Sequence, residues 1–169
     1  MPSALVLESC KALAENNLTI AFGESATAGS LCAAYALAPE SGKVLKGGIV
    51  CYDASLKEQI LHIPHGIIKK YTPESAEVTE QLCRKLKKLI NAEVYVAVTG
   101  LTTKGGSETP EKPVGTMFIH IIWKEKSIGI REVYRGSPEE IIRQAVDRAA
   151  RMTLDLIRDV KKMDSISSP

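Results

Sequence analysis

The sequence predicts an α/β fold, a three-layer α/β/α sandwich around a mixed, mostly parallel sheet. Three observations lead there. Apolar, β-forming runs alternate with stretches of helical periodicity through the first two thirds of the chain. Glu93 to Thr99 is apolar almost without a break, as a central strand covered on both faces must be. Val114 to Trp123 and Ser127 to Tyr134 are two strands separated only by Lys124-Glu125-Lys126, which closes them as a hairpin.

The elements follow in order. Ser3 to Asn16 carries Leu5, Leu7, Ala12 and Leu13 at helical spacing and ends at the turn-prone Asn16-Asn17. Leu18 to Phe22 is a strand, and Leu31 to Leu37 a helix that Pro39-Glu40-Ser41-Gly42 breaks. Val44 to Tyr52 is a second strand, after which Asp53 caps a short helix through Leu61. Thr72-Pro73-Glu74 opens a longer helix, with Thr72 as N-cap and Val78, Leu82, Leu86 and Leu89 as its inward stripe. Ser137-Pro138-Glu139-Glu140 is a capping box for the last helix, whose buried face is Ile142, Ala145, Val146, Ala149 and Leu156. Residues 161–169 lose this periodicity and are expected to fray, leaving a single domain over residues 1–160.

Composition narrows the function. With 169 residues, one domain buries a sizeable core and two would both be marginal. Aromatic residues are 5% of the chain, too few for a base-stacking platform, and a net charge of +2 compels no nucleic-acid or membrane partner. Arg84, Lys85, Lys87 and Lys88 share one helix and read as its solvated face. Cys10, Cys32, Cys51 and Cys83 are far apart and make no metal-binding spacing; His62, His65 and His120 are scattered too. No metal or cofactor is expected. No signal segment or apolar run of membrane-spanning length is read, so the expected compartment is the cytoplasm.

The stretch Gly23-Glu24-Ser25-Ala26-Thr27-Ala28-Gly29-Ser30 joins the first strand to its helix. In an open α/β sheet that junction lies at the carboxyl edge, where free N–H groups at a helix start meet an anion or polar substrate. Ser25 and Thr27 would project hydroxyls into that crevice; the competing reading is a cluster of helix-capping residues. A hydrolytic site in that crevice would need a nucleophile, a base, oxyanion donors and a proton for the leaving group. No Ser/His/Asp set is visible, so a Ser/Lys pair is the economical choice, with Lys57 as base. A lysine of ordinary pKa about 10.4 must be lowered by burial or a neighbouring cation to serve.

Four ordered segments, Gly23 to Ser30, Gly47-Gly48-Ile49-Val50-Cys51-Tyr52 with Lys57, Thr99-Gly100, and Gly105-Gly106 through Lys112-Pro113-Val114-Gly115-Thr116, resemble the CinA C-terminal-domain family. Its pattern is Glu-Ser-Cys-Thr-Gly-Gly, Gly-Gly-x-Val-x-Tyr with a Lys five residues on, Thr-Gly-x-Ala-Gly-Pro-x-Gly-Gly, and Lys-Pro-Val-Gly-Thr. The resemblance implies a nicotinamide mononucleotide amidohydrolase of the same fold class, needing no cofactor and acting on a small nucleotide as a homo-oligomer. It implies Ser25 as nucleophile with Tyr52 and Lys57 activating it. Thr27, Ala28, Gly29, Gly48, Thr99 and Gly100 would surround the ligand. Arg143 would meet the phosphate, although Arg148, Arg151 and Arg158 show that arginine is common on that helix. Gly105-Gly106 and the Lys112 to Thr116 segment either shape a loop closing over the ligand or merely turn the chain.

The chain departs from the pattern at two places. Ala26 and Ala28 replace Cys and Gly, and Ala28 is strained if its position needs positive φ, at a cost of about 1 kcal/mol. Leu101-Thr102-Thr103-Lys104 replaces a small, stiff loop with a bulkier one that carries a charge. Two alternatives to the nucleotide amidase therefore stand: a diverged amidase on another amide, and a non-catalytic nucleotide- or partner-binding module.

Overall fold

The structure, a computed structural model, describes the backbone of residues 1–166 and the side chains of residues 1–159. Twelve elements follow in order: α1 (Ala4–Glu15), β1 (Ile20–Glu24), α2 (Ser30–Ala36), α3 (Ser41–Val44), β2 (Leu45–Val50), α4 (Ala54–Gln59), α5 (His65–Tyr71), α6 (Ala76–Leu89), β3 (Val94–Gly100), β4 (Thr116–Trp123), β5 (Lys126–Val133) and α7 (Pro138–Ile166). The five strands form one sheet in the order β2-β1-β3-β4-β5. β1 pairs in parallel with β2 and β3, whereas β4 is antiparallel to both β3 and β5. Only β4 runs against the rest.

Strand alternation builds the three layers. Ile20, Phe22, Val94, Val96 and Val98 face one side and join a core with α1, α2 and α7. Ala21, Tyr95 and Ala97 face the other and pack with α5, α6 and the segment around Leu61 and Ile63. On the first side the Tyr35 ring packs against Phe22 in a tilted pair, centroids 4.8 Å apart, and its hydroxyl lies 2.6 Å from that of Ser9, so one buried side chain ties α2 to both β1 and α1. On the second, Gly23 makes room for Leu82. A Cβ at residue 23 would lie 2.1 Å from Leu82 Cδ2, so α6 crosses β1 as closely as it does only because that side chain is missing.

The helix starts explain where the site falls. Ser3, Asp53 and Ser75 cap α1, α4 and α6 by accepting the amides of Val6, Ser55 and Val78. Thr72 is therefore not the N-cap that the sequence predicts for the long helix. It closes α5, a helix the sequence pattern does not announce, and α6 starts at Ala76. Leu89, expected in the inward stripe, is 51% exposed. The capping box of α7 forms in both directions, Ser137 N–H to Glu140 at 2.7 Å and Glu140 N–H to Ser137 Oγ at 3.3 Å. α7 continues to Ile166, beyond the expected start of fraying at 161; residues 167–169 of that expected tail lie outside the described residues.

Candidate active site

The end of β1 sets the geometry. Glu24, the last residue of the strand, is fully buried. Its Oε2 accepts the Thr27 hydroxyl at 2.7 Å and the amides of Gly29 and Leu31 at 3.0 and 3.1 Å, while Oε1 accepts the amide of Cys32 at 2.9 Å. Ala28 and Gly29, at φ 49° and 97°, curl the chain so that these donors converge. The first turn of α2 thus has its carboxylate built in, favourably placed at the positive end of the helix. This corrects the expectation of free amides awaiting an anion: Glu24 takes them. It also turns the Thr27 hydroxyl inward, away from the crevice.

Ser25 follows directly. Its amide donates to Val98 O at 2.9 Å, so β3 fixes the backbone of the residue whose hydroxyl borders the cavity. Its Oγ lies 3.0 Å from Nζ of Lys57, which reaches in from α4 with no exposure to solvent. Lys57 Nζ also donates to Cys51 O at 2.9 Å. The strand expected to run through Tyr52 stops at Val50, and that leaves the Cys51 carbonyl available to the lysine. Burial lowers the Lys57 pKa from the ordinary lysine value, opposed by the charges of Glu74, Cys51 and Asp53. A lysine more easily made neutral, hydrogen-bonded to a serine hydroxyl, is a base able to activate it.

A cavity of about 200 Å³ opens over this pair, lined by Ser25, Ala26, Tyr52, Glu74 and residues 100–106. Tyr52 is 61% exposed, and among the described residues its hydroxyl bonds neither Ser25 nor Lys57. Gly100 allows the wall to form: a Cβ there would lie 2.2 Å from Met117 Sδ and 2.6 Å from Thr116 O. Gly105 and Gly106, expected in a loop near the ligand, line the same wall.

Other residues named from the sequence stand behind or away from this cavity. Thr99 is fully buried, its hydroxyl 2.8 Å from that of Thr79, which donates to Ser75 O at 2.6 Å. Ala28 is exposed and Gly29 is turned to Glu24. Gly48 lies in mid-β2 facing Phe22 and Cys32. Arg143 is exposed on α7; none of these five residues lines the cavity. Glu24 and Glu74 are the residues that motif reading passed over. Glu24 had a signal, an acid at a strand end five residues before the N-cap glycine of a helix with no side-chain cap of its own.

The remaining titratable groups lie elsewhere. His120 bonds Ser127 and His65 bonds Glu58, both outside the cavity. Among the described residues no cluster of three His, Cys, Asp or Glu side chains is placed to hold a metal, and no helix is long and apolar enough to cross a membrane. Arg84, Lys85, Lys87 and Lys88 line a groove with Lys124 and Lys126 of the hairpin.

Comparison with known proteins agrees with this architecture. Residues 3–157 match the CinA C-terminal domain. A CinA-like protein of Thermotoga maritima is 35% identical over 150 residues, covering 89% of this chain and 35% of that protein. One from Prochlorococcus marinus (strain SARG) is 34% identical over 139 residues, 81% of this chain and 33% of that protein. The chain thus spans about a third of the length of these relatives. Among solved structures, a competence-damaged protein (CinA) superfamily protein from Klebsiella pneumoniae 700603 superposes with a TM-score of 0.87 at 20% identity, covering 92% of this chain and 96% of that one. A superfamily member from Escherichia coli gives 0.84 at 24% identity, covering 90% and 88%. With its α/β sheet, its Glu24-Ser25 turn and a match over nearly its whole length, the chain belongs to the CinA C-terminal domain family.

Proposed function

We propose that this domain is an amidohydrolase that converts nicotinamide mononucleotide to nicotinate mononucleotide and ammonia. One observation carries the chemistry: a fully buried lysine amine 3.0 Å from the hydroxyl of a serine that borders a cavity. Neutral Lys57 takes the Ser25 proton as Oγ attacks the carboxamide carbon. Ala26, the residue after the nucleophile, lines the same cavity, and its amide N–H is the oxyanion donor in this reading. Protonated Lys57 then gives its proton to the departing nitrogen, and an acyl-serine remains. Water, deprotonated by Lys57, releases the carboxylate and restores Ser25.

The choice of nucleotide rests on family resemblance and on the charge of the wall. Lys104 is the one cation among the described residues lining the cavity, and it suits a substrate phosphate. Arg143 is exposed outside the cavity, so Lys104 takes the phosphate duty in this reading. A second reading, an amidase for another amide, is favoured by the same segment, because Thr102, Thr103 and Lys104 rebuild that wall. Ammonia release from nicotinamide mononucleotide by the wild type, lost in Ser25→Ala, supports the first. No release from that substrate, with Ser25-dependent release from another amide, would replace it by the second.

A further inference from the structure

Thr72-Pro73-Glu74 has the makings of a helix start and does not form one. Thr72 instead sits at φ 70°, ψ 155°, a backbone region a β-branched residue rarely enters. Such a conformation persists only where the surroundings hold it, and here Lys112, 40 residues on, holds the side chain while Ser75 Oγ donates to Thr72 O at 3.0 Å. Its Nζ donates to Thr72 Oγ1 at 2.7 Å, to Glu74 O at 3.0 Å and to Ser107 Oγ at 2.7 Å. An ammonium has three N–H donors, and all three are used. Ser107, accepting from Lys112, donates its own proton to Glu74 Oε2 at 2.5 Å.

Two segments are joined by this arrangement. One is the approach to α6, which would have begun at Pro73 had Thr72 been the cap. The other is the long connection from β3 to β4, whose residues 101–106 form the cavity wall. Between them Glu74 is held on the wall of the cavity that it lines together with Ser25, whose Oγ lies 3.0 Å from Lys57 Nζ. The groups whose charge reaches Lys57 are Glu74 ahead of α6, Cys51 after β2 and Asp53 at the start of α4, with Glu74 the strongest.

We infer that Glu74 is a positioning residue that sets the protonation of Lys57, and that Ser107 and Lys112 form the clamp that holds its carboxylate in place while fastening the cavity wall. The inference rests on the reading of Lys57 as the base. It gives the wall loop a second duty: the contact that closes the site also completes the electrostatic setting of its lysine. An anion on the wall of the same cavity offsets part of the cost of burying the ammonium, so that Lys57 stays a strong enough base to take the Ser25 proton.

The test is a titration of Lys57 by NMR in protein carrying ¹³C at lysine Cε, the signal being identified by its loss in Lys57→Arg. No substrate is involved. Glu74→Gln keeps an acceptor for Ser107 but removes the charge, and the Lys57 midpoint is expected to fall below that of the wild type. Ser107→Ala leaves every charge in place and releases the carboxylate; it is expected to move the midpoint the same way by a smaller amount. In the double variant the midpoint should match Glu74→Gln alone, because Ser107 acts through Glu74. A midpoint unmoved in Glu74→Gln, or shifts that simply add, would overturn the inference. If Lys57 responds as expected but no amide is turned over, the amidase reading fails and the clamp stands.

Discussion

Lys57 Nζ and Ser25 Oγ, 32 residues apart in sequence, meet at 3.0 Å beneath the cavity floor, and the lysine is closed to solvent. Burial lowers the Lys57 pKa in the folded state. The folded chain then binds fewer protons than the unfolded one between that lowered value and the ordinary lysine value. Lys57 therefore contributes most favourably above the unfolded pKa, and that contribution is lost as pH falls through the folded one. Urea unfolding across this alkaline window should show stability rising with pH in the wild type, with the rise reduced in Lys57→Met. An equal slope in both proteins would mean that Lys57 titrates normally.

Activity should depend on the same pair more steeply than stability does. Ser25→Ala and Lys57→Met are each expected to lower kcat by at least about 1000-fold, and the double variant by little more than either, as for groups acting as a unit. Single-turnover ammonia release from nicotinamide mononucleotide measures this. Two losses that multiply would indicate that serine and lysine work separately.

Glu24→Gln should cost the fold about 2–4 kcal/mol, because the new NH₂ group would confront four donors now converging on a carboxylate. The urea midpoint reports it. A loss below 1 kcal/mol, on the order expected for a surface change, would show that the turn does not need its internal cap.

Ala28 tests the same turn from the backbone side. At φ 49° its Cβ is strained, and Ala28→Gly should raise stability by about 0.5–1 kcal/mol. Gly29→Ala, at φ 97°, should lower it by about 1–2 kcal/mol. Paired thermal melts decide both signs.

Much of this turn was legible. Apolar periodicity located β1 and β3, and short-range chemistry located the Asp53 cap and the Ser137/Glu140 box, since each bond spans two or three residues. The motif spacing singled out Ser25 and Lys57, whose side chains meet at 3.0 Å. What local pattern does not carry is competition from far along the chain. Thr72 looks like a helix cap until Lys112 supplies another partner for its hydroxyl, and the amides after Ser25 look free until Glu24 is seen to turn back on them. The placement of Ala28, Gly48 and Arg143 outside the cavity depends on which face each element presents, and motif order is silent on that.

Lys104 offers the sharpest check on substrate. It lines the cavity wall in a segment that departs from the family pattern, and a phosphate there would gain a charge-assisted contact. Lys104→Glu is expected to raise KM for nicotinamide mononucleotide about tenfold or more, the equivalent of about 1.4 kcal/mol, with a smaller effect on kcat. Nicotinamide riboside has the same amide and no phosphate, so its kcat/KM should be nearly indifferent to the substitution. Equal losses on both substrates would mean that Lys104 supports the wall and leaves the phosphate to another group; a loss confined to the nucleotide would assign the phosphate to Lys104.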